Sequence, residues 1–449
     1  MDLTDSGRVP EGWTMRSIAD VCERVTSGGT PSRTVPGYYE GGRWPWVKTQ
    51  ELGDRWIDDT EEHVTDEAVS ESSAKVLPAS TLLMAMYGAT VGKMGLLRAP
   101  MTCNQACCAM IVDPDKADHR FLYYSLLASR DMIKGLAVGA AQQNLSGESI
   151  KRMRLPFPPL PEQRRIAHIL GTLDDKIELN RRMNKSLEEM ARALFKSWFV
   201  DFDPVRAKVE GRSPGLPQHL ADLFPSHLVD SDLGPIPEGW EVKTIGDFAQ
   251  LTIGGDWGAD EKTSGAVAVR CLRGVDLDLI RRRGLADAPV RWISSDSLDR
   301  RSLGDGDVLV EGSGQCGRSL AAIRCSSLYG EPVIYSNFCK RLRCGTVGEA
   351  IYLEYLLNRL VASGGMSDFI TGTAMPNLDH KGLMASHRVV VPPSSPMEEF
   401  ERFVMPVRER LYSKAPWALE QIRDSLLLRL FAPGAQYMVP ERAVEGGAP

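Results

Sequence analysis

The sequence predicts a mixed α/β fold in which one architectural unit occurs twice, each copy being followed by a long helix. Three observations predict it. Four short motifs recur in the same order, short apolar runs alternate with Gly- and Pro-rich segments, and a heptad pattern of apolar residues follows the first copy. The 449 residues are too many for one ordinary core and suit two or three domains.

The repeat is clearest where each half begins. Residues 9–13 read Val-Pro-Glu-Gly-Trp and residues 236–240 read Ile-Pro-Glu-Gly-Trp, and each is followed by a Ser/Thr-Ile-x-Asp run. Three further motif pairs lie 225 to 233 residues apart, namely 47–52 with 272–277, 82–93 with 308–318, and 139–145 with 372–378. Such self-similarity indicates a duplicated structural unit. Because the side chains differ, the two modules should share a layout but differ in detail.

Within each half, the pattern favours short strands separated by turns. We expect strands over residues 81–87, 109–112, 307–311 and 388–391, and helices near residues 120–136 and 350–362. Each half therefore forms a mixed α/β module that is closed by a strand.

A long helix should follow the proline-rich run at residues 156–161, because this run favours extended chain and then permits helix initiation. Steps of seven from Ile166 and from Leu170 give a nearly continuous apolar seam that reaches residue 198. Asn180 and Asn184 lie on this seam. They either fix the register of a helix pair or face solvent near a bend.

A second long helix is expected over residues 398–431, with less regular apolar spacing. Pro406 and Pro416 should kink or divide it, since each proline removes a helix hydrogen bond. Two amphipathic helices of similar length bury their apolar faces economically against each other, as an antiparallel pair. The predicted boundaries are first module 1–157, central helix 158–202, linker 203–233, second module 234–393, C-terminal helix 394–432 and tail 433–449.

Composition argues against several classes of protein. No stretch approaches the roughly 20 apolar residues of a membrane span, and the first residues lack a signal-peptide pattern. We therefore expect a cytoplasmic protein with free thiols. The nine cysteines and seven histidines lack metal-ligand spacing, which favours buried structural cysteines over a zinc site.

The formal net charge of −6 is unusual for a DNA-binding protein, because phosphate contacts normally come from a surplus of Lys and Arg. If the chain binds DNA, either its basic residues gather on one face or partner subunits supply much of the phosphate contact.

No catalytic constellation is recognisable in the sequence. The Asn/Asp-Pro-Pro-aromatic motif of amino-methyltransferases is absent. A Gly-x-Gly-x-x-Gly run at residues 312–317 precedes another predicted strand instead of a helix, which favours a turn over a nucleotide-binding loop. A Glu-x-Lys at residues 241–243 fits a minimal nuclease motif, but its counterpart in the first half does not. We therefore predict a non-enzyme with no metal and no cofactor of its own.

Three segments in and after the first long helix point to a family. They are Leu-Pro-Glu-Gln-Arg-Arg-Ile at 160–166, Leu-Asp-Asp-Lys-Ile-Glu-Leu-Asn at 173–180, and the run from Met190 to Pro204. These segments resemble the central conserved region of Type I restriction-modification specificity subunits. The resemblance covers nearly the whole chain, although the second helix lacks the Leu-Pro-Glu-Gln run.

The resemblance implies two target recognition domains that each read one half of an asymmetric bipartite site in double-stranded DNA. The helix pair would then act as a ruler for the unread spacer. The family also implies assembly with two modification subunits that carry S-adenosylmethionine and, optionally, with restriction subunits. Two rival hypotheses are a helical scaffold without DNA specificity and an enzyme with an unrecognised site.

Candidate DNA-binding residues are polar or basic side chains at repeat-equivalent places in Gly-rich loops. They are Lys48, Gln50, Tyr87, Lys93, Gln142 and Gln143 in the first half, and Arg270, Arg273, Arg318 and Asn377 in the second. Arg and Lys suit guanine edges, whereas Asn and Gln suit adenine. For each residue the alternative is a solvated loop position or a phosphate contact.

A crowded aromatic group near the end of the central helix is a candidate partner-binding surface, with ordinary core of the helix pair as the equal alternative. Its members are Phe195, Trp198, Phe199 and Phe202.

Overall fold

The computed structural model describes residues 9–136, 144–413 and 415–431, without the side chains of residues 415 and 416. The chain divides into two compact units. The first contains Met1–Ile177 and Ala418–Pro449, and the second contains Glu178–Trp417. The first unit is therefore assembled from two separate parts of the sequence.

A five-stranded mixed sheet forms the centre of the first unit. In spatial order its strands are Cys22–Ser27, Cys107–Val112, Leu82–Ala85, Met94–Leu97 and Arg55–Ile57, of which the last two are paired in parallel. Successive side chains of a strand point to opposite faces. Leu82 and Met84 accordingly enter one apolar cluster, while Leu83 and Ala85 enter another.

Smaller elements complete the first unit. A three-stranded sheet has the order His63–Val64, Trp44–Val47 and Thr102–Cys103, and Thr14–Ser17 pairs with Arg154–Phe157. The α-helices between these strands are Ile18–Val21, Asp66–Glu71, His119–Ala128, Arg130–Gly135 and Gly147–Arg152. Single 3-10 turns are Pro36–Tyr38, Thr49–Glu51 and Gly88–Thr90.

The second unit contains a four-stranded antiparallel sheet in the order Gln250–Leu251, Cys339–Arg343, Asp307–Glu311 and Ser319–Ala321. A three-stranded sheet has the order Val290–Ser294, Ala266–Leu272 and Val333–Tyr335. Two-stranded pairs are Glu241–Thr244 with Arg388–Val391, Leu228–Val229 with Ile236–Pro237, and Ile370–Thr371 with Asn377–Leu378.

The helices of the second unit lie between these strands. They are Asp203–Val209, Gln218–Ala221, Ile245–Phe248, Gly274–Arg283, Ser295–Arg301, Cys325–Tyr329, Val347–Ala362, His380–Ser386 and the 3-10 turn Gly365–Phe369. Val205 and Phe224 are buried in the large apolar cluster of this unit. The segment predicted as a linker, 203–233, is therefore a folded part of the second unit, and that prediction is corrected.

The repeated motifs have the same local structure in both units. Ser17 and Thr244 each cap a short helix, and Asp20 and Asp247 return the bond three residues later as a capping box. The strands that these residues end pair with the closing strands of their own units. The duplication inferred from sequence is thus a duplication of structure.

The central helix spans Leu160–Phe199 without interruption. Its heptad seam faces inward, since Leu170, Ile177, Ala191 and Trp198 are all buried. Asn184 is also buried, at 6% exposure, so the solvent-facing alternative is wrong for this residue.

The second long helix is divided, as its prolines predict. It consists of Ser394–Tyr412 and Ala415–Phe431. Pro416 lies in the first turn of the second piece, where its missing N–H costs no helix bond, and therefore marks the division. Pro406 lies inside the first piece without ending it.

Both C-terminal helices pack against the central helix. In the second unit, the rings of Phe195 and Phe400 lie 5.7 Å apart. In the first unit, Arg423 donates to Asp174 at 3.0 Å, and Leu427 shares an apolar cluster with Leu170. The later residue of the central helix, Phe195, thus meets the earlier C-terminal residue, Phe400, and Asp174 meets Arg423. The C-terminal pieces therefore run antiparallel to the central helix, as predicted.

All nine cysteines are buried as free thiols, as predicted. Among the residues that the structure describes, no three His, Cys, Asp or Glu side chains are grouped in a way that could hold a metal ion. Across the same residues, no helix is both long enough and apolar enough to cross a membrane.

Candidate nucleic-acid interface

A hairpin with the same backbone hydrogen bonds occurs in both units. In the first, the N–H of Ala85 donates to the Lys93 carbonyl at 2.9 Å, and the N–H of Gly92 donates back at 3.0 Å. In the second, Glu311 N–H donates to the Arg318 carbonyl at 2.8 Å, and Gly317 N–H donates back at 2.9 Å. Lys93 and Arg318 therefore occupy one structural position in the two repeats.

Each hairpin is joined to a second loop that is distant in sequence. The N–H of Leu145 donates to the Met86 carbonyl at 2.8 Å, and the N–H of Leu378 donates to the Gly312 carbonyl at the same distance. The neighbouring residues pair as isolated bridges, Tyr87 with Asn144 and Ser313 with Asn377. In each unit the hairpin turn is thus paired with a segment that is distant in sequence, namely residues 144–145 in the first unit and residues 377–378 in the second. We call the hairpin turn and this segment the loop pair.

The first loop pair carries free polar side chains. Tyr87 is 44% exposed, and Lys93 is also exposed. Gln142 and Gln143 lie outside the described residues, and the chain re-enters the structure at Asn144, which is exposed. This loop pair therefore combines a cation and a phenol, the types of group that contact phosphates and base edges.

The second loop pair carries different polar side chains, Arg318 and Asn377. Arg318 is half-buried. Asn377 already uses both ends of its amide, because its oxygen accepts from Ser313 Oγ at 2.5 Å and its nitrogen donates to the Met375 carbonyl at 3.0 Å. Asn377 thus joins the two segments of the loop pair. It is itself exposed, and the DNA contacts of Asn377 and Arg318 stay predictions.

Three other predicted cations are engaged within the protein. Lys48 Nζ contacts Glu62 at 2.8 Å and Glu61 at 3.0 Å. Arg270 bonds Glu331 at 3.2 Å and the Ala288 carbonyl at 2.8 Å, and Arg273 makes two 2.9 Å bonds to the buried Asp276. Gln50 is exposed. All three cations are paired with acidic side chains of the same unit, and their contact with DNA stays a prediction.

The predicted partner-binding aromatics are not on the surface. Phe195, Trp198, Phe199 and Phe202 are between 2 and 7% exposed and belong to the main apolar cluster of the second unit. Trp198 packs edge-on against Phe224 at a centroid distance of 5.2 Å. These side chains are core residues of the chain itself, and the alternative interpretation replaces the partner-binding one.

A cavity of about 420 Å³ lies beside the second loop pair and was not predicted. Its lining includes Trp257, Arg273, Glu311, Ser313 and Phe338. Burial raises the pKa of the Glu311 carboxyl above its ordinary value. The one signal in the sequence is that an acidic residue ends an apolar strand where the first repeat has Ala85.

Comparison with known proteins gives a consistent result. Residues 10–189 match the family described as Type I restriction modification DNA specificity domain. The chain is 27% identical over 448 residues to the Type I restriction enzyme MjaIX specificity subunit of Methanocaldococcus jannaschii, covering 95% of this chain and 94% of that one. It is 35% identical over 146 residues to the HindI specificity subunit of Haemophilus influenzae, covering 24% of this chain and 32% of that one.

A solved structure has the same fold. The crystal structure of a Type I restriction-modification S subunit from M. genitalium superposes with a TM-score of 0.56 at 17% identity, covering 96% of this chain and 98% of that chain. The similarity therefore extends across both units and both long helices.

Proposed function

We propose that this chain, which belongs to the specificity subunits of Type I restriction-modification systems, reads the two parts of a bipartite DNA site with its two loop pairs. The observation that carries the proposal is the shared backbone frame with unlike side chains. Tyr87 and Lys93 occupy one frame, and Ser313 and Arg318 the other. Two readers with different chemistry require an asymmetric target.

The chain recognises DNA and leaves catalysis to its partners. We propose that it assembles with two modification subunits, which bind S-adenosylmethionine and methylate the site, and in some systems with restriction subunits. The net charge of −6 supports this division of labour. The electrostatic part of DNA binding comes from Lys and Arg, so subunits that share the phosphate backbone reduce the number of cations that this chain has to supply.

The central helix supports the proposed ruler function. At about 1.5 Å per residue, its 40 residues correspond to roughly 60 Å. We propose that this length sets the number of unread base pairs between the half-sites, as half-site spacing does in dimeric DNA-binding proteins. Insertion of seven residues after Glu178, two helical turns, should lengthen the unread spacer without changing either half-site. An unchanged spacer would contradict the ruler.

The main test is to map the sequence that the assembled complex methylates. The full chain would be produced with its modification partner, and methylated positions in genomic DNA would be sequenced. Lys93→Ala should alter recognition only in one half-site, and Arg318→Ala only in the other. Lys116→Ala and Arg300→Ala, which remove exposed cations of the same units away from the loop pairs, are the matched controls.

Affinity measurements separate base contacts from phosphate contacts. Loss of a base contact relaxes the motif at one position, whereas loss of a phosphate contact weakens all sequences and lowers the salt slope by about one. A wild-type complex that showed no preference among random duplexes would refute DNA specificity and favour the scaffold hypothesis.

A further inference from the structure

The second unit holds a buried acidic group that its fold does not fully satisfy. Glu311 is 5% exposed at the end of its strand, and its Oε1 accepts from the Gln315 N–H at 3.2 Å. Its Oε2 is buried and has no hydrogen-bond partner within the described chain. A buried oxygen of this kind is costly unless a donor reaches it. Glu311 lines a cavity, from which a bound ligand would donate this hydrogen bond.

The cavity has the size and lining of a site for a planar molecule. Its volume of about 420 Å³ falls within the range of small-ligand pockets. Trp257 and Phe338 line the cavity and are 38% and 60% exposed, and the Arg291 guanidinium lies over one face of the Trp257 ring at 4.4 Å. Exposed aromatic rings of this kind provide stacking surfaces for nucleobases.

The cavity lies next to the second loop pair. Ser313 lines the cavity and also donates its hydroxyl to Asn377. A nucleobase held by the loop pair is therefore next to the cavity. The Glu311 carboxylate, which can only accept while ionised, suits the exocyclic amino group of cytosine or adenine.

Arg273, the cation that lines the cavity, does not donate to Glu311 Oε2, so a ligand is left to supply this hydrogen bond. Arg273 directs its guanidinium to Asp276 through two bonds of 2.9 Å. The neighbouring Gly274 keeps space for the carboxyl group, since a Cβ there would lie 2.4 Å from Glu311 Cδ. In the first repeat these two positions are Ala85 and Thr49, so this acceptor belongs to the second reader alone.

We propose that Glu311 is a specificity-determining residue that accepts a hydrogen bond from the amino group of a cytosine or adenine in the second half-site. This inference rests on the proposed function, because it assumes that the second loop pair contacts DNA. It adds a carboxylate acceptor to a reader whose other polar candidate is the cation Arg318.

The experiment removes the amino group from the DNA and the carboxylate from the protein. Duplexes would carry purine in place of adenine, or 2-pyrimidinone in place of cytosine, at each position of the second half-site in turn. With the wild-type complex, one such replacement should weaken binding roughly 5- to 150-fold. With Glu311→Leu, the same replacement should have no further effect, whereas Glu311→Gln should retain part of it because its amide oxygen still accepts.

Further variants guard against a purely structural effect. Gly274→Ala should displace the carboxyl and reproduce the Glu311→Leu result, while Glu241→Gln, which changes an exposed acid of the same unit, should bind like the wild type. Thermal unfolding would verify that each variant is folded. If folded Glu311→Leu and Gly274→Ala complexes respond to every replacement as the wild type does, the inference is overturned. A wild-type complex without sequence preference would instead refute the proposed function.

Discussion

Arg408→Met tests whether the stability of the second unit depends on a buried ion pair. The Arg408 guanidinium bonds Glu354, and the two side chains are 7% and 1% exposed. Glu354 also accepts from the Ala321 N–H at 2.8 Å. Ala321 ends the strand that follows Arg318, so this ion pair connects the hairpin of the second loop pair with helices Val347–Ala362 and Ser394–Tyr412.

The expected loss follows from desolvation. Removing one partner of a buried ion pair leaves an uncompensated charge and costs about 3–5 kcal/mol. In Arg408→Met the carboxylate of Glu354 keeps only its backbone donor. The double variant Glu354→Gln with Arg408→Met removes both charges but preserves an acceptor for Ala321. It should therefore lie within about 1 kcal/mol of the wild type.

The assay is hydrogen exchange followed by mass spectrometry across a urea series. Peptides covering Ser319–Ala321 and Val347–Ala362 report on the second unit, and peptides covering Leu82–Ala85 in the first unit are the internal reference. Protection should fall in the second unit of Arg408→Met and return in the double variant. A single variant destabilised by less than about 1 kcal/mol, or a double variant as unstable as the single one, would refute the reasoning.

Three further predictions concern titration, packing and thiol reactivity. Hydrogen bonds from Arg33 and then Lys48 lower the pKa of Glu62 to about 2. The ionised carboxylate therefore contributes stability above its ordinary pKa, and this stability is lost as the pH falls towards 2. NMR titration should show this pKa, and Arg33→Met should raise it, whereas an unchanged pKa in the variant would contradict the assignment. Trp198→Ala should cost about 3–5 kcal/mol in urea unfolding because it leaves a cavity, and full stability combined with lost partner binding would restore the partner-binding role. The nine buried thiols should not react with a thiol reagent at pH 8 until the protein unfolds, since burial raises the pKa of thiols such as Cys22, in its case to about 12; rapid labelling of the native chain would disagree.

Much of the fold was predictable because its signals are local. Strands Asp307–Glu311 and Arg388–Val391 have the predicted bounds, since apolar β-branched runs end at turn residues there. The heptad seam predicted the inward face of the central helix. Pro416 divided the second helix because the effect of proline on a helix is also local.

The site was less predictable because its contacts join residues that are distant in sequence. The local sequence gives no sign that Lys48 and Arg270 are paired, because their partners Glu62 and Glu331 lie 14 and 61 positions further along the chain. The aromatic group of the central helix offered no local signal that separates core from interface. Only the folded chain shows that Phe400 packs against three of its rings.

The composition of the first unit has a consequence for the order of folding. Leu427 belongs to its apolar cluster, and the ring of Phe431 lies 5.4 Å from that of Phe121. During translation, the ribosome makes the whole second unit before it makes these residues. The apolar core of the first unit is therefore complete only after the chain has been made as far as Phe431, which follows every residue of the second unit.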